Sequence, residues 1–144
     1  MARLHEHQGK MLLGSFKIPK PMGGVASTPE EARAVAEAVG KPVMVKAQVW
    51  TTGRANLGGI KRAATPDEAA ALAGEMLGMK VKGITVQQVL IEEQLDIERE
   101  FFASIIVDDR SPAPLVLFSS VGRTGIQEIA AAHPDAVATT TVDV

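Results

Sequence analysis

Between residues 42 and 49, apolar and polar side chains alternate as a strand requires. Val43, Val45, Ala47 and Val49 fall on one face, and Met44, Lys46, Gln48 and Trp50 on the other. Helical spacing governs other stretches. Leu4, Gln8, Met11 and Leu12 predict a short helix over 4–15. Ile18-Pro19-Lys20-Pro21 ends it, because proline disfavours helix in the residue before it. Thr28-Pro29-Glu30-Glu31 reads as a helix start, with a threonine cap, proline in the first turn and glutamate three residues past the cap. Ala32, Val35, Ala36 and Val39 mark its buried face, and Gly40 its stop. Thr65-Pro66-Asp67-Glu68 repeats the same start, with Ala69, Leu72, Ala73 and Met76 as the apolar face and Gly78 as the stop. The two openings share capping chemistry, but the residues after each do not match, so they are not a repeat.

A glycine-bearing loop, Thr51-Thr52-Gly53-Arg54-Ala55-Asn56-Leu57-Gly58-Gly59, separates the 42–49 strand from Ile60-Lys61. Further strands are predicted over 85–92, 99–107 and 114–119, with Asp108-Asp109-Arg110-Ser111-Pro112 as the turn between the last two. A second glycine loop, Val121-Gly122-Arg123-Thr124-Gly125, leads to a helical stretch over 126–132 and a β-prone run over 136–142. This order, with strands crowded into the second half, predicts an α+β fold: a largely antiparallel sheet with flanking helices. The final run has no closing helix after it in this sequence, and an unpaired strand edge invites another chain. A partner polypeptide or self-association is therefore expected.

Composition narrows the function classes. The chain has 144 residues, enough for one domain, and alanine and valine dominate its apolar share, as close helix–sheet packing favours. The formal net charge is −2 with signs interspersed, so the basic stripe of a nucleic-acid binder is missing. Without cysteine there are no disulfides or thiolate metal sites. No apolar run approaches membrane-spanning length and the first residues carry no apolar signal core, which makes a cytoplasmic location the expectation.

Lys46 stands in a β-rich segment where lysine packs poorly. It is either a solvated side chain beside Gln48 or a cation reaching a phosphate from the floor of a cleft. The loop after this strand has glycines for close backbone approach and an arginine for a fork of donors. It matches neither a Walker A loop nor a dinucleotide fingerprint, and a glycine-rich hairpin turn accounts for it equally well. Glu92, Glu93, Asp96, Glu98 and Glu100 cluster around predicted strands, as a solvated acidic turn or as acceptors for sugar hydroxyls and base amino groups. His5, His7 and His133 lack metal-ligand spacing, and Ser119-Ser120 lacks a nucleophile pattern. Composition and spacing stop at a possible anion-binding α+β domain.

Several stretches in order resemble the N-terminal part of succinyl-CoA-synthetase β subunits, the ADP-forming succinate–CoA ligases. They are Leu4-His5-Glu6-His7-Gln8-Gly9-Lys10, Ile18-Pro19-Lys20-Pro21, Val45-Lys46-Ala47-Gln48-Val49, and Gly53-Arg54 with Gly58-Gly59-Ile60-Lys61. Leu90-Ile91-Glu92, Asp96-Ile97-Glu98-Arg99-Glu100, and Ser119-Ser120 ahead of Gly122 complete the series. The resemblance spans essentially the whole chain and implies a partial ATP-grasp fold over 1–144. It implies that Lys46 contacts a nucleotide phosphate and that Gly53, Arg54 and Ala55 form the phosphate-side loop. Glu92 and Leu95 correspond to adenine-side positions, Glu100 to the carboxylate facing the ribose, and Pro21 to a base-side position where proline accompanies ATP more than GTP. None of these is a catalytic or metal-ligating residue.

The activity so implied couples ATP cleavage to acyl-CoA formation. The γ-phosphate passes to a histidine on a partner α subunit, which also carries the CoA site, and a small carboxylic acid is activated as its acyl phosphate. Mg²⁺ would bridge the phosphates, and its ligands are expected outside this chain, in the remaining part of the β subunit. Alone, the chain is expected to be incomplete as a catalyst. A second expectation, from another class, is a truncated, non-catalytic ATP-grasp nucleotide-binding or regulatory module; an ATP-grasp ligase of the carboxylase or amino-acid-ligase type fits the quoted stretches less well. The sequence also departs from the pattern. Thr52, Ala55 and Asn56 stand where relatives carry more glycine and a lysine, and Gly122-Arg123-Thr124-Gly125-Ile126-Gln127 replaces a second glycine and two acidic residues.

Overall fold

The computed structural model describes residues 3–51, 53–107, 113–122 and 134–143. The expected turn at 108–112, the helical stretch over 126–132, Thr52 and His133 lie outside them. The chain divides into two compact units, Met1–Leu95 and Asp96–Val144.

The first unit is built on an antiparallel sheet in the order β1-β6-β2-β3, from β1 (Gly23–Ala26), β2 (Val43–Ala47), β3 (Ile60–Ala63) and β6 (Val89–Glu93). Helices α2 (Pro29–Val39) and α3 (Pro66–Met76) pack on each other and on the sheet. Each begins as its threonine dictates. The Thr28 and Thr65 hydroxyls accept the Glu31 and Glu68 amides at 3.2 Å, and those glutamates reach back to the Ser27 and Ala64 amides at 2.7 Å. Helix α2 stops at Gly40, in the left-handed conformation; α3 ends one residue before Leu77, ahead of the expected Gly78.

The alternation across 43–49 holds. Val43, Val45, Ala47 and Val49 are buried in one apolar cluster with Ala32, Ala36, Ala63, Ala73, Met76 and Ile91. Small alanines on the helices let them lie close to a valine-rich sheet face. The strand predicted over 85–92 forms only in its second half, as β6, and ahead of it the chain makes a small hairpin, β4 (Lys80–Val81) with β5 (Ile84–Thr85). Lys82 and Gly83 have φ of 48° and 82°, the paired positive values of a tight hairpin turn. The edge strand β1 is an addition to the predicted elements.

Helix α1 (Glu6–Ser15) buries no residue. Its polar side chains reach Lys46 of β2, Glu92 of β6 and Gln48 just past β2, while Met11, Leu12 and Phe16 are exposed.

The second unit is a three-stranded antiparallel sheet in the order β7-β8-β9: β7 (Phe102–Val107), β8 (Pro114–Ser119) and β9 (Val137–Thr141). The β-prone run predicted at 136–142 pairs with β8 through Leu115↔Thr141 to Ser119↔Val137. Among the described residues no helix is long and apolar enough to cross a membrane.

Candidate nucleotide site

The outward positions of β2 and β6 carry charge that the sheet holds in register. Lys46 lies opposite Leu90, and Glu92 is two residues further along β6, opposite Met44. That diagonal spacing is within reach of long side chains. Lys46 Nζ donates to Glu92 Oε2 at 2.6 Å, and Lys10, from α1, donates to the other oxygen of the same carboxylate. The Glu92 side chain is only 5% exposed and that of Lys46 18%, so neither is a solvated surface group.

Glu6 completes the cluster from the first turn of α1. Its carboxylate pairs with Lys46 at 3.3 Å, with Lys10 one helical turn along at 2.9 Å, and with the Arg54 guanidinium. Three cations therefore share two carboxylates. Burial pushes the Glu6 carboxyl upward, but Lys46, Lys10 and Arg54 together outweigh it and hold its pKa down at about 2. Burial works against the charge of Lys46 as well; Glu92 and Glu6 overcome it and raise the ammonium above its usual value.

Arg54 is aimed by its loop. Gly53, with φ 72°, adopts a left-handed turn that a β-carbon would strain, and the chain then enters the single 3₁₀ turn Arg54–Leu57. The Gly59 amide donates to the Arg54 carbonyl and the Ala47 amide to the Gly59 carbonyl, both at 2.8 Å, tying the loop to the end of β2.

Beside the ions, His7 and the buried Gln48 close the polar layer. The Gln48 side-chain oxygen lies 3.1 Å from both the His7 amide and His7 Nδ1, and its amide donates to the Lys46 carbonyl at 3.0 Å. His5 stacks on Trp50 with ring centroids 4.3 Å apart. Burial, then His7 and Arg54, disfavour its protonated form. A hollow of about 380 Å³ adjoins the cluster, lined by Lys10, Lys20, Pro21, Gly23, Leu90 and Glu92 among others. Among the described residues no three histidine or carboxylate side chains gather to hold a metal ion.

A paired lysine and arginine over an antiparallel sheet, next to a partly apolar hollow, is an arrangement suited to a polyanion attached to a flat group. The ATP-grasp domain model matches residues 3–144. This chain belongs to the ATP-grasp family. An ADP-forming succinate–CoA ligase β subunit of Rubrobacter xylanophilus is 50% identical over 140 residues, covering 97% of this chain and 37% of that protein. A GDP-forming counterpart from Thermus thermophilus is 45% identical over 134 residues, covering 93% of this chain and 35% of that one. The chain thus spans little more than a third of the length of these curated relatives. Among solved structures, a dinucleotide-forming acetyl-coenzyme A synthetase of Ca. Korarchaeum cryptofilum superposes with a TM-score of 0.75 at 21% identity, covering 98% of this chain and 61% of that one. An ATP citrate lyase of Methanothrix soehngenii gives 0.68 at 20%, covering 97% and 34%. These structural likenesses establish the fold.

Within this ATP-grasp domain, Lys46, Arg54 and Glu92 come together, with Gly53 and Ala55 flanking Arg54 and Pro21 lining the hollow that Glu92 also reaches. Leu95 is 49% exposed at the end of the first unit. Glu100 belongs to the second unit, where Gly122 passes so close that a β-carbon there would lie 2.7 Å from the Glu100 Cβ. Sequence reasoning assigned no role to Glu6, Lys10, His7 or Gln48. A signal for the first two was present: glutamate and lysine four apart on a helix face one another.

Proposed function

We propose that this chain is the nucleotide-binding portion, the N-terminal part of an ATP-grasp domain, of an ADP-forming acid–CoA ligase β subunit of the succinate–CoA ligase type. The observation that carries the reading is the convergence of Lys46 and Arg54 on one carboxylate, in a member of a family whose curated relatives include succinate–CoA ligase β subunits. Lys46 and the Gly53-Arg54-Ala55 loop take the nucleotide phosphates. Pro21, Glu92 and Leu95 serve the base side, and Glu100 the ribose hydroxyls. Both Glu92 oxygens already accept from lysines, yet each keeps a second lone pair for a donor on the base.

In phosphoryl transfer the protein positions the phosphates and neutralises charge. Lys46 and Arg54 supply that neutralisation here. Mg²⁺ would supply further charge neutralisation at the phosphates, held by residues in the remaining part of the β subunit. A histidine on an α subunit receives the γ-phosphate. That subunit also holds the CoA site; the phosphoryl group passes from the histidine to the small carboxylic acid, and CoA takes the acyl group from the resulting acyl phosphate with release of phosphate, in the cytoplasm.

The test is a chimera in which these 144 residues replace the matching segment of the Rubrobacter relative, paired with that organism's α subunit. The chimera should label the α subunit from γ-labelled ATP and form acyl-CoA, and Lys46→Ala should abolish both. A folded, assembled chimera that transfers no label would count against the assignment.

A further inference from the structure

Glu6 is the partner shared by all three cations of the cluster, Lys10, Lys46 and Arg54. It belongs to α1, which contributes nothing to the apolar core. The side of α1 toward the sheet is charged or polar, through Glu6, His7 and Lys10, while Met11 and Leu12 are 70% and 52% exposed. The helix is therefore held by ion pairs and the His7–Gln48 contact instead of by buried apolar area. Contacts of that kind are exchangeable, because another anion can take the same donors.

A carboxylate bridging a lysine and an arginine does what a phosphate oxygen does: it is compact, anionic and accepts from both. Glu6 and a nucleotide phosphate would call on the same Nζ and guanidinium donors, and like charges set side by side oppose each other. We propose that Glu6 is a built-in competitor for the phosphate donors, so that nucleotide phosphates engage Lys46 and Arg54 only as Glu6 and the start of α1 give way. The proposal rests on the reading of Lys46 and Arg54 as phosphate-binding. It makes Glu6 a determinant of selectivity, since a ligand without phosphates has no need to displace it.

The chain carries its own reporter. Trp50 is its one tryptophan, and it stacks on His5, the residue immediately before α1. Displacement of the start of α1 disturbs that stack.

The experiment compares wild type, Glu6→Gln and Lys46→Ala, titrated with ATP, inorganic tripolyphosphate and adenosine by calorimetry, with Trp50 emission followed in parallel. Glu6→Gln should tighten ATP and tripolyphosphate by about tenfold, for relief of a like-charge contact, and leave adenosine within about twofold. In wild type, tripolyphosphate should shift Trp50 emission. Glu6→Asp, which keeps the charge but withdraws the carboxylate, should tighten ATP in the same direction, and it serves if the glutamine variant does not fold. The competitor is ruled out if both substitutions leave ATP affinity equal or weaker, including the case in which no variant binds at millimolar nucleotide. The two readings separate through Lys46→Ala. Selective loss of ATP there without a gain in the Glu6 variants sinks the competitor alone, while equal loss of ATP and adenosine sinks the phosphate assignment beneath it.

Discussion

Lys46 and Glu92 meet because β2 and β6 pair with Met44 opposite Glu92 and Lys46 opposite Leu90, on the face away from Val45 and Ile91. Strand alternation alone places Lys46 on the polar face but leaves open whether that face is wet. What decides it is a partner 46 residues away on a neighbouring strand, and α1 lying across both; neither is a local property of the sequence. Glu92 is equally ambiguous within its acidic run, and its burial separates it from the half-buried Glu93 and Glu100 and the exposed Asp96 and Glu98. Because it answers two lysines, its removal leaves the partly buried Lys10 and Lys46 ammonium groups to share the Glu6 carboxylate with Arg54. Glu92→Ala should therefore cost about 2–4 kcal/mol of folding stability, read from urea unfolding. An unchanged midpoint would show that the pair is solvated after all.

Among the elements, α2 and α3 were legible because their starts are local chemistry: threonine, proline, and a glutamate three residues after the cap are enough to fix where the helix begins. Thr28→Ala or Thr65→Ala should each lower stability by about 1 kcal/mol, visible as a drop in thermal midpoint of several degrees. No loss in either variant would mean that tertiary packing alone sets these helix ends. Strand β1 was not legible. Gly-Gly-Val-Ala has little intrinsic strand preference, and its extended form comes from pairing Ala26 with Val89 and Gly23 with Glu92. The hairpin at 80–85 was missed for a related reason: its turn uses a lysine at positive φ, which propensity does not anticipate. Helix α1 was visible as a helix, yet its orientation runs against the usual rule that the apolar stripe faces inward.

At the scale of the molecule, the ion cluster ties folding to pH. The Glu6 carboxyl falls from an ordinary value of 4.5 to about 2 on folding. A depressed acid stabilises the folded state above its unfolded pKa and loses that contribution as pH falls through the folded one. Stability should thus decline between about pH 5 and pH 2, by an amount on the order of 2–3 kcal/mol from this group. Lys46 has the opposite sign. Its raised value gives stability that is complete below 10.5 and fades as pH climbs past it. Denaturant midpoints from pH 2 to 11 would trace both edges, and a profile flat between pH 5 and 2 would contradict the Glu6 account.

The central claim is that Lys46 holds nucleotide phosphate, and the most direct measurement is calorimetry of ATP and adenosine on wild type and Lys46→Ala. Loss of a charge-assisted contact should weaken ATP by about 1.5–3 kcal/mol and leave adenosine nearly unchanged. Glu100→Ala, run beside it, should weaken both ligands alike, as expected for a carboxylate serving the ribose. Equal sensitivity of ATP and adenosine to Lys46→Ala would contradict the claim.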